Sequence, residues 1–202
     1  MQSYQELAKT VTINKENRLI HYDDSLMHIG TGRSAFVFRI KSTMKAIKVY
    51  FPAFSYIAKE ETDIYKKLQN ITYYPAVYDS GSNYIVMDYI EGHTLFECLS
   101  KGEIITSAHI KQIDDALSLA AARGLNPSDV HLRNIIVTIT GEIKLIDVAR
   151  FRQTKDCRQW DNLKRAYVNF YCKRLFPKKV SAPFLNFIAI LYKKRCIPFF
   201  RA

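Results

Sequence analysis

From Thr10 to Tyr50 the apolar residues come in short runs, Val11 to Ile13, Leu19 to Tyr22, Met27 to Ile29, Ala35 to Ile40 and Met44 to Tyr50. Turn residues such as Lys15-Glu16-Asn17 separate them. Runs of this length, rich in β-branched and aromatic residues, predict strands, and together they predict one small antiparallel sheet. The period then changes. Ile57, Glu61, Ile64 and Leu68 recur at helical spacing inside a predicted helix from Ser55 to Gln69, and Tyr84 to Tyr89 reads as a further strand. From Thr106 the pattern is helical again, with Ile110, Ile113, Leu117 and Ala121 spaced for one buried face. A β-hairpin follows, Ile135 to Ile139 and Glu142 to Ile146 around Thr140-Gly141, and then helical segments at Gln159 to Phe176 and Ala182 to Lys194. No repeat or linker-like tract interrupts the chain. The expectation is an α+β protein with an N-terminal antiparallel sheet plus one helix over residues 1–88 and a reduced, mainly helical part over residues 89–202.

Composition adds three constraints. At 202 residues and 48% hydrophobic content the chain can bury a core of its own. Cys98, Cys157, Cys172 and Cys196 contain no CxxC pair, which speaks against a zinc site or a dense disulfide framework and for reduced thiols. The N-terminal residues lack a basic stretch leading into an apolar run, and the late apolar run Leu185 to Tyr192 is too short to span a bilayer, so the expected location is cytoplasmic.

Charge matters once it is divided. Residues 1–150 hold 17 Lys and Arg against 17 Asp and Glu, whereas residues 151–202 hold 13 against 2, so the whole excess of 11 lies in a basic tail. Trp160, Leu163, Tyr167, Phe170 and Tyr171 supply an apolar face there, and Lys164, Arg165, Lys173, Arg174, Lys178 and Lys179 supply charge. The asymmetry predicts an anionic partner, whether nucleic acid, ribosome or an anionic membrane surface; a solvated helical face is the alternative.

Three groups of residues carry candidate chemistry. Gly30-Thr31-Gly32-Arg33-Ser34-Ala35 is a glycine-rich turn followed by Phe36-Val37-Phe38-Arg39-Ile40, a strand rather than a helix. That context fits a flap over phosphates or an ordinary hairpin better than a dinucleotide-binding turn, which opens a helix. Eleven residues past Val37, Lys48 interrupts the apolar run Ala46-Ile47-Lys48-Val49, and a buried ammonium demands an anion. Glu61, inside the apolar stripe of the following helix, is the predicted partner. The third group is Asp129-Val130-His131-Leu132-Arg133-Asn134 with Leu145-Ile146-Asp147. A hairpin turning at Thr140-Gly141 brings its outer ends together, so Asn134 and Asp147 must be neighbours. Their oxygens suit Mg²⁺ carrying phosphate, and Asp129 is placed to accept a proton from an attacking hydroxyl; turn and loop-bracing roles are the structural alternatives.

In order and spacing together these elements resemble the protein-kinase-like superfamily over about residues 25–150. They are the glycine loop, Lys48, Glu61, a hinge in Val86-Met87-Asp88-Tyr89-Ile90-Glu91-Gly92, Asp129, Asn134 and Asp147. The resemblance implies a two-lobed fold and ATP with Mg²⁺ as cofactors. It implies that Met87 lies behind the adenine, that the backbones of Asp88 and Ile90 bind its edge, and that Ile29, Val37 and Ala46 cover its face. Gly30, Gly32, Lys48 and Glu61 would serve the phosphates, Asn134 and Asp147 the metal, and Asp129, Lys48 and His131 the transfer.

The chain also departs from the common pattern. Pro127-Ser128 stands where His-Arg is usual, Asp147-Val148-Ala149 where Asp-Phe-Gly is usual, and no Ala-Pro-Glu follows. Val148-Ala149 is similar to RIO-type kinases, and Asp-x-His-x-x-Asn to aminoglycoside and lipid-pathway kinases. His131 stands where protein kinases place a lysine. The resemblance therefore implies a minimal bacterial-type Ser/Thr kinase that moves the γ-phosphate of Mg·ATP to a hydroxyl on an acceptor, most simply a protein. The alternatives are a pseudokinase or nucleotide-binding scaffold, and a small-molecule kinase.

Overall fold

The computed structural model describes residues 2–194 and 196. Among them the chain forms six α-helices and ten strands, an α+β architecture. A five-stranded antiparallel sheet holds β3 (Leu26–Thr31), β4 (Ala35–Ile40), β5 (Lys45–Tyr50), β7 (Tyr84–Asp88) and β6 (Val77–Ser80), in that spatial order. The first two predicted strands do not join it. β1 (Thr12–Ile13) and β2 (Leu19–His21) pair only with each other, because Asn14 turns the chain back tightly, its side chain accepting the Glu16 and Arg18 amides.

Alternation along the strands gives this sheet two faces. Phe36, Phe38, Ile47, Val49, Tyr84 and Val86 share one apolar cluster, covered by Leu7 and Ala8 of α1 (Tyr4–Thr10) and by Val11 just after it. The opposite face aligns Gly30, Val37, Lys48 and Ile85 in one cross-strand row and Arg39, Ala46 and Met87 in the next. Helix α2 (Tyr56–Leu68) packs on that side, burying Ala58, Glu61, Thr62, Ile64, Tyr65 and Leu68.

The second main core gathers around α4 (Ser107–Ala122) and a three-stranded sheet ordered β10 (Ile143–Leu145), β9 (Ile135–Thr138), β8 (Gly92–Thr94). The buried face of α4 is Ile113, Ala116 and Ala120, flanked by the partly buried Ile110 and Leu117. Ala121, expected on that stripe, is exposed; it stands one residue, about 100°, round from Ala120. Helix α3 (Leu95–Lys101) follows β8 at once. Gly92 sits where β8 meets β9, and a Cβ there would lie 2.2 Å from the Val137 carbonyl oxygen at φ +155°, so the two strands meet this closely only because the residue is glycine.

The tail forms α5 (Gln159–Ala166), a π-helical turn Tyr167–Tyr171 and α6 (Ala182–Lys193). Its expected apolar face turns largely inward. Trp160 and Tyr171 are buried, and Leu163 and Tyr167 are packed against the core. The indole of Trp160 and the ammonium of Lys164 both donate to Asp114 on α4, at 2.7 and 2.9 Å. Phe170, expected on that face, is exposed, as are Val168 and Leu175, and α6 adds the exposed Phe184, Phe187 and Ile190, a face the segment's length alone did not single out. No described helix is long and apolar enough to cross a membrane.

Candidate active site

Lys48 is delivered by the central strand β5, facing α2. Its ammonium lies 2.7 Å from Glu61 Oε2, 3.0 Å from Oε1, and 3.1 Å from Asp147 Oδ1. Glu61 is fully buried, and the Tyr50 hydroxyl donates to it as well. Tyr50 stands two residues beyond Lys48 and therefore on the same face of β5. Burial alone would push the Lys48 ammonium toward deprotonation, but Glu61 and Asp147 outweigh it and raise its pKa above the ordinary lysine value. The cation is permanent at any physiological pH. Asp147 is held below the usual carboxylate range, chiefly by the Lys48 charge.

Asp147 and Asn134 are neighbours, as the hairpin geometry requires: Leu145 pairs with Ile135, and the Ile146 amide donates to the Asn134 carbonyl at 2.9 Å. The Asn134 side-chain nitrogen donates to the Asp129 carbonyl at 3.2 Å, which uses one of its two N–H groups and leaves Oδ1 as an acceptor. Asp129 and Asp147 both adopt φ +60°, the left-handed region that costs a non-glycine residue free energy and that aspartate tolerates better than most.

His131 lies between these acids, its Nε2 4.0 Å from Asp129 Oδ1, while its Nδ1 accepts the Arg133 amide at 3.3 Å. Partial burial lowers its pKa, so the neutral ring predominates at neutral pH, with its proton on Nε2.

Two residues not singled out for a role complete the cluster. Arg33, from the glycine turn, reaches Asp129 Oδ2 at 2.9 Å, and Arg150 Nε approaches the same oxygen at 3.4 Å. Tyr50 is a third omission, and its shared strand face with Lys48 was the signal that could have found it.

The turn itself is tight, its Gly32 amide bonded to the Ala35 carbonyl at 2.9 Å. Neither Gly30 nor Gly32 has a positive φ, and an added Cβ would meet nothing closer than 4.0 Å and 3.5 Å respectively. The fold does not require glycine at these two positions, so the missing side chains leave space for something else.

The residues expected to enclose an adenine share one side of the sheet: Val37, Ala46 and Met87 lie in the cross-strand rows already described, and Ile29 is the bulged residue beside Gly30. The Asp88 side chain turns to the start of β6, accepting from the Ala76 amide at 2.8 Å and the Tyr78 hydroxyl at 2.6 Å, and the Asp88 amide donates to the Ala76 carbonyl at 3.0 Å. Among the described residues no group of three or more His, Cys, Asp or Glu side chains could hold a metal. Asn134 and Asp147 offer two hard oxygens, a set that fits Mg²⁺ only with phosphate oxygens and water completing its octahedron.

No protein-family model matches the chain. It is similar to a protein of Bacillus subtilis (strain 168) named "Putative serine/threonine-protein kinase YrzF": the two are 48% identical over 193 residues, covering 93% of this chain and 90% of that protein.

Proposed function

Since this chain belongs to the kinase-like family of Bacillus subtilis YrzF, we propose that it is a two-lobed, ATP-dependent protein Ser/Thr kinase, with residues 1–88 as the sheet-bearing lobe and 89–202 as the helical one. The observation that carries this reading is the convergence of Lys48, from the five-stranded sheet, on both Glu61 and Asp147, 13 and 99 residues away in sequence.

Lys48, fixed by Glu61, binds the nucleotide phosphates, and the turn Gly30–Ala35 covers them. Val37, Ala46, Ile29 and Met87 enclose the adenine, and the backbones of Asp88 and Ile90 bind its edge. Asn134 and Asp147 would hold Mg²⁺, which would supply neutralisation of phosphate charge. Asp129 accepts the proton of the acceptor hydroxyl as the oxygen–phosphorus bond forms and the bond to ADP breaks. His131, neutral, offers Nε2–H to the transferred group. Little covalent chemistry falls to the protein, so positioning and fixed charge account for most of the rate.

Only residues 148–158 separate Asp147 from α5. A connection this short supports the RIO-like reading, without a switchable activation segment. The test is labelled-phosphate transfer from Mg·ATP to generic protein acceptors by the pure protein, with phosphoserine or phosphothreonine as the expected product. Nucleotide binding without any transfer would favour a scaffold, and transfer only to hydroxyl-bearing metabolites a small-molecule kinase.

The basic tail supports a docking role on an anionic membrane surface from the cytoplasmic side. Phe184, Phe187 and Ile190 line the outward side of α6, ending at the exposed Lys193 and Lys194, and no acid lies on that helix. Apolar residues rimmed by lysine suit a lipid interface better than nucleic acid or ribosome. Asn186 of α6 accepts from Arg133 at 2.8 Å, tying this surface to the 129–134 loop. The protein is expected to float with phosphatidylglycerol-containing vesicles but not with phosphatidylcholine, and Phe184→Ser with Phe187→Ser to abolish flotation. RNA retention without vesicle binding would overturn the membrane reading.

A further inference from the structure

Arg33 has an unusual position for so long and exposed a side chain. Its side chain is 72% exposed, yet it is held by Asp129, 96 residues away. Its charge is also felt by Asp147 and by His131, so it stands within the same cluster as the metal-side acid and the imidazole. It is carried by the turn whose glycines leave unfilled space. A triphosphate lying between Lys48 and that turn would bring its terminal phosphate into the path of the Arg33 guanidinium.

We propose that Arg33 reads the triphosphate: its guanidinium exchanges the Asp129 carboxylate for the terminal phosphate of the nucleotide, so that the base is masked until a triphosphate is in place. This deepens the kinase reading and rests on it. Three physical considerations favour the exchange. A terminal phosphate carries more charge than one carboxylate and presents its oxygens in the spacing that a guanidinium fork matches. The side chain is exposed, so its swing disturbs no packing. Arg150 remains 3.4 Å from Asp129 Oδ2 and keeps the carboxylate aimed after Arg33 departs. While both arginines hold Oδ2, that oxygen is closed to an acceptor hydroxyl; with one of them gone, a lone pair on it is available.

The device also discriminates between nucleotides. A diphosphate lacks the group that draws Arg33 away, so ADP binds without uncovering Asp129, and the acceptor site is set for chemistry only when there is a phosphoryl group to transfer.

The test compares binding of Mg·ADP and of a non-hydrolysable Mg·ATP analogue by calorimetry in wild type, Arg33→Gln and Arg33→Lys, with thermal melting to confirm folding. Wild type is expected to prefer the triphosphate analogue. Arg33→Gln is expected to lose about tenfold in affinity for the analogue, the scale of one charge-assisted hydrogen bond, with ADP affinity changed less than about twofold. Arg33→Lys should recover part of the loss, since it keeps the charge without the fork. Equal losses for both nucleotides, or no loss for either, would overturn the role of Arg33 while leaving the kinase reading in place. Wild-type protein that binds neither nucleotide would overturn both.

Discussion

Asp129→Asn is expected to lower phosphate transfer on the order of 10² or more while leaving Mg·ADP affinity within about twofold. The substitution is nearly isosteric and retains the side-chain oxygen that Arg33 and Arg150 approach, at 2.9 and 3.4 Å. Asparagine also tolerates the φ of +60° that this position demands. Folding should therefore survive, and what disappears is the capacity to take a proton from the acceptor. Single-turnover transfer with saturating Mg·ATP isolates this step from binding. Turnover equal to wild type would remove Asp129 from the role of base. A matching drop in ADP affinity would show instead that the residue acts in binding.

Glu61→Ala is expected to destabilise the folded chain by about 3–5 kcal/mol, the usual cost of removing one partner from a buried ion pair. Glu61 has no solvent exposure and accepts from both Lys48 and Tyr50. Removing it leaves the Tyr50 hydroxyl buried without its partner and Lys48 with Asp147 alone, beside a cavity the size of the lost side chain. The retained Lys48–Asp147 contact argues for the lower part of that range. For a chain of this length the melting temperature should fall by about 10 °C, measurable by calorimetry. Glu61→Gln, which keeps the volume and one hydrogen bond, should lose less stability and still release Lys48 from its fixed position. A change in melting below about 2 °C for Glu61→Ala would mean that the buried pair contributes little.

Several elements missed in the strand and helix reading were nonetheless written in the sequence. Helix α1 opens with Ser3 and Glu6, and α3 with Thr94 and Glu97, each a reciprocal capping box in which side chain and backbone satisfy one another. Both helices are seven residues long, too short for apolar periodicity to show, so the cap was the stronger local signal. Strand β6 escaped for a different reason: Val77–Ser80 is brief, and its pairing with β7 is broken by a bulge between Val77 and Asp79.

For the site, local pattern was enough wherever one element held the whole relationship. The lysine in an apolar strand, the glutamate in an apolar stripe and the two ends of one hairpin each follow from a single period or turn, because side-chain direction in strands and helices is set by backbone geometry. Tertiary structure alone decided the rest. It set the β1–β2 hairpin apart from the main sheet, turned Trp160 and Tyr171 inward, left Phe184 and Phe187 outside, and brought Arg33 and Arg150 onto Asp129. Those outcomes depend on which surfaces meet across tens of residues and on which long, flexible cation reaches a given carboxylate first. Local periodicity carries no information on either, since packing and charge pairing are properties of the assembled chain.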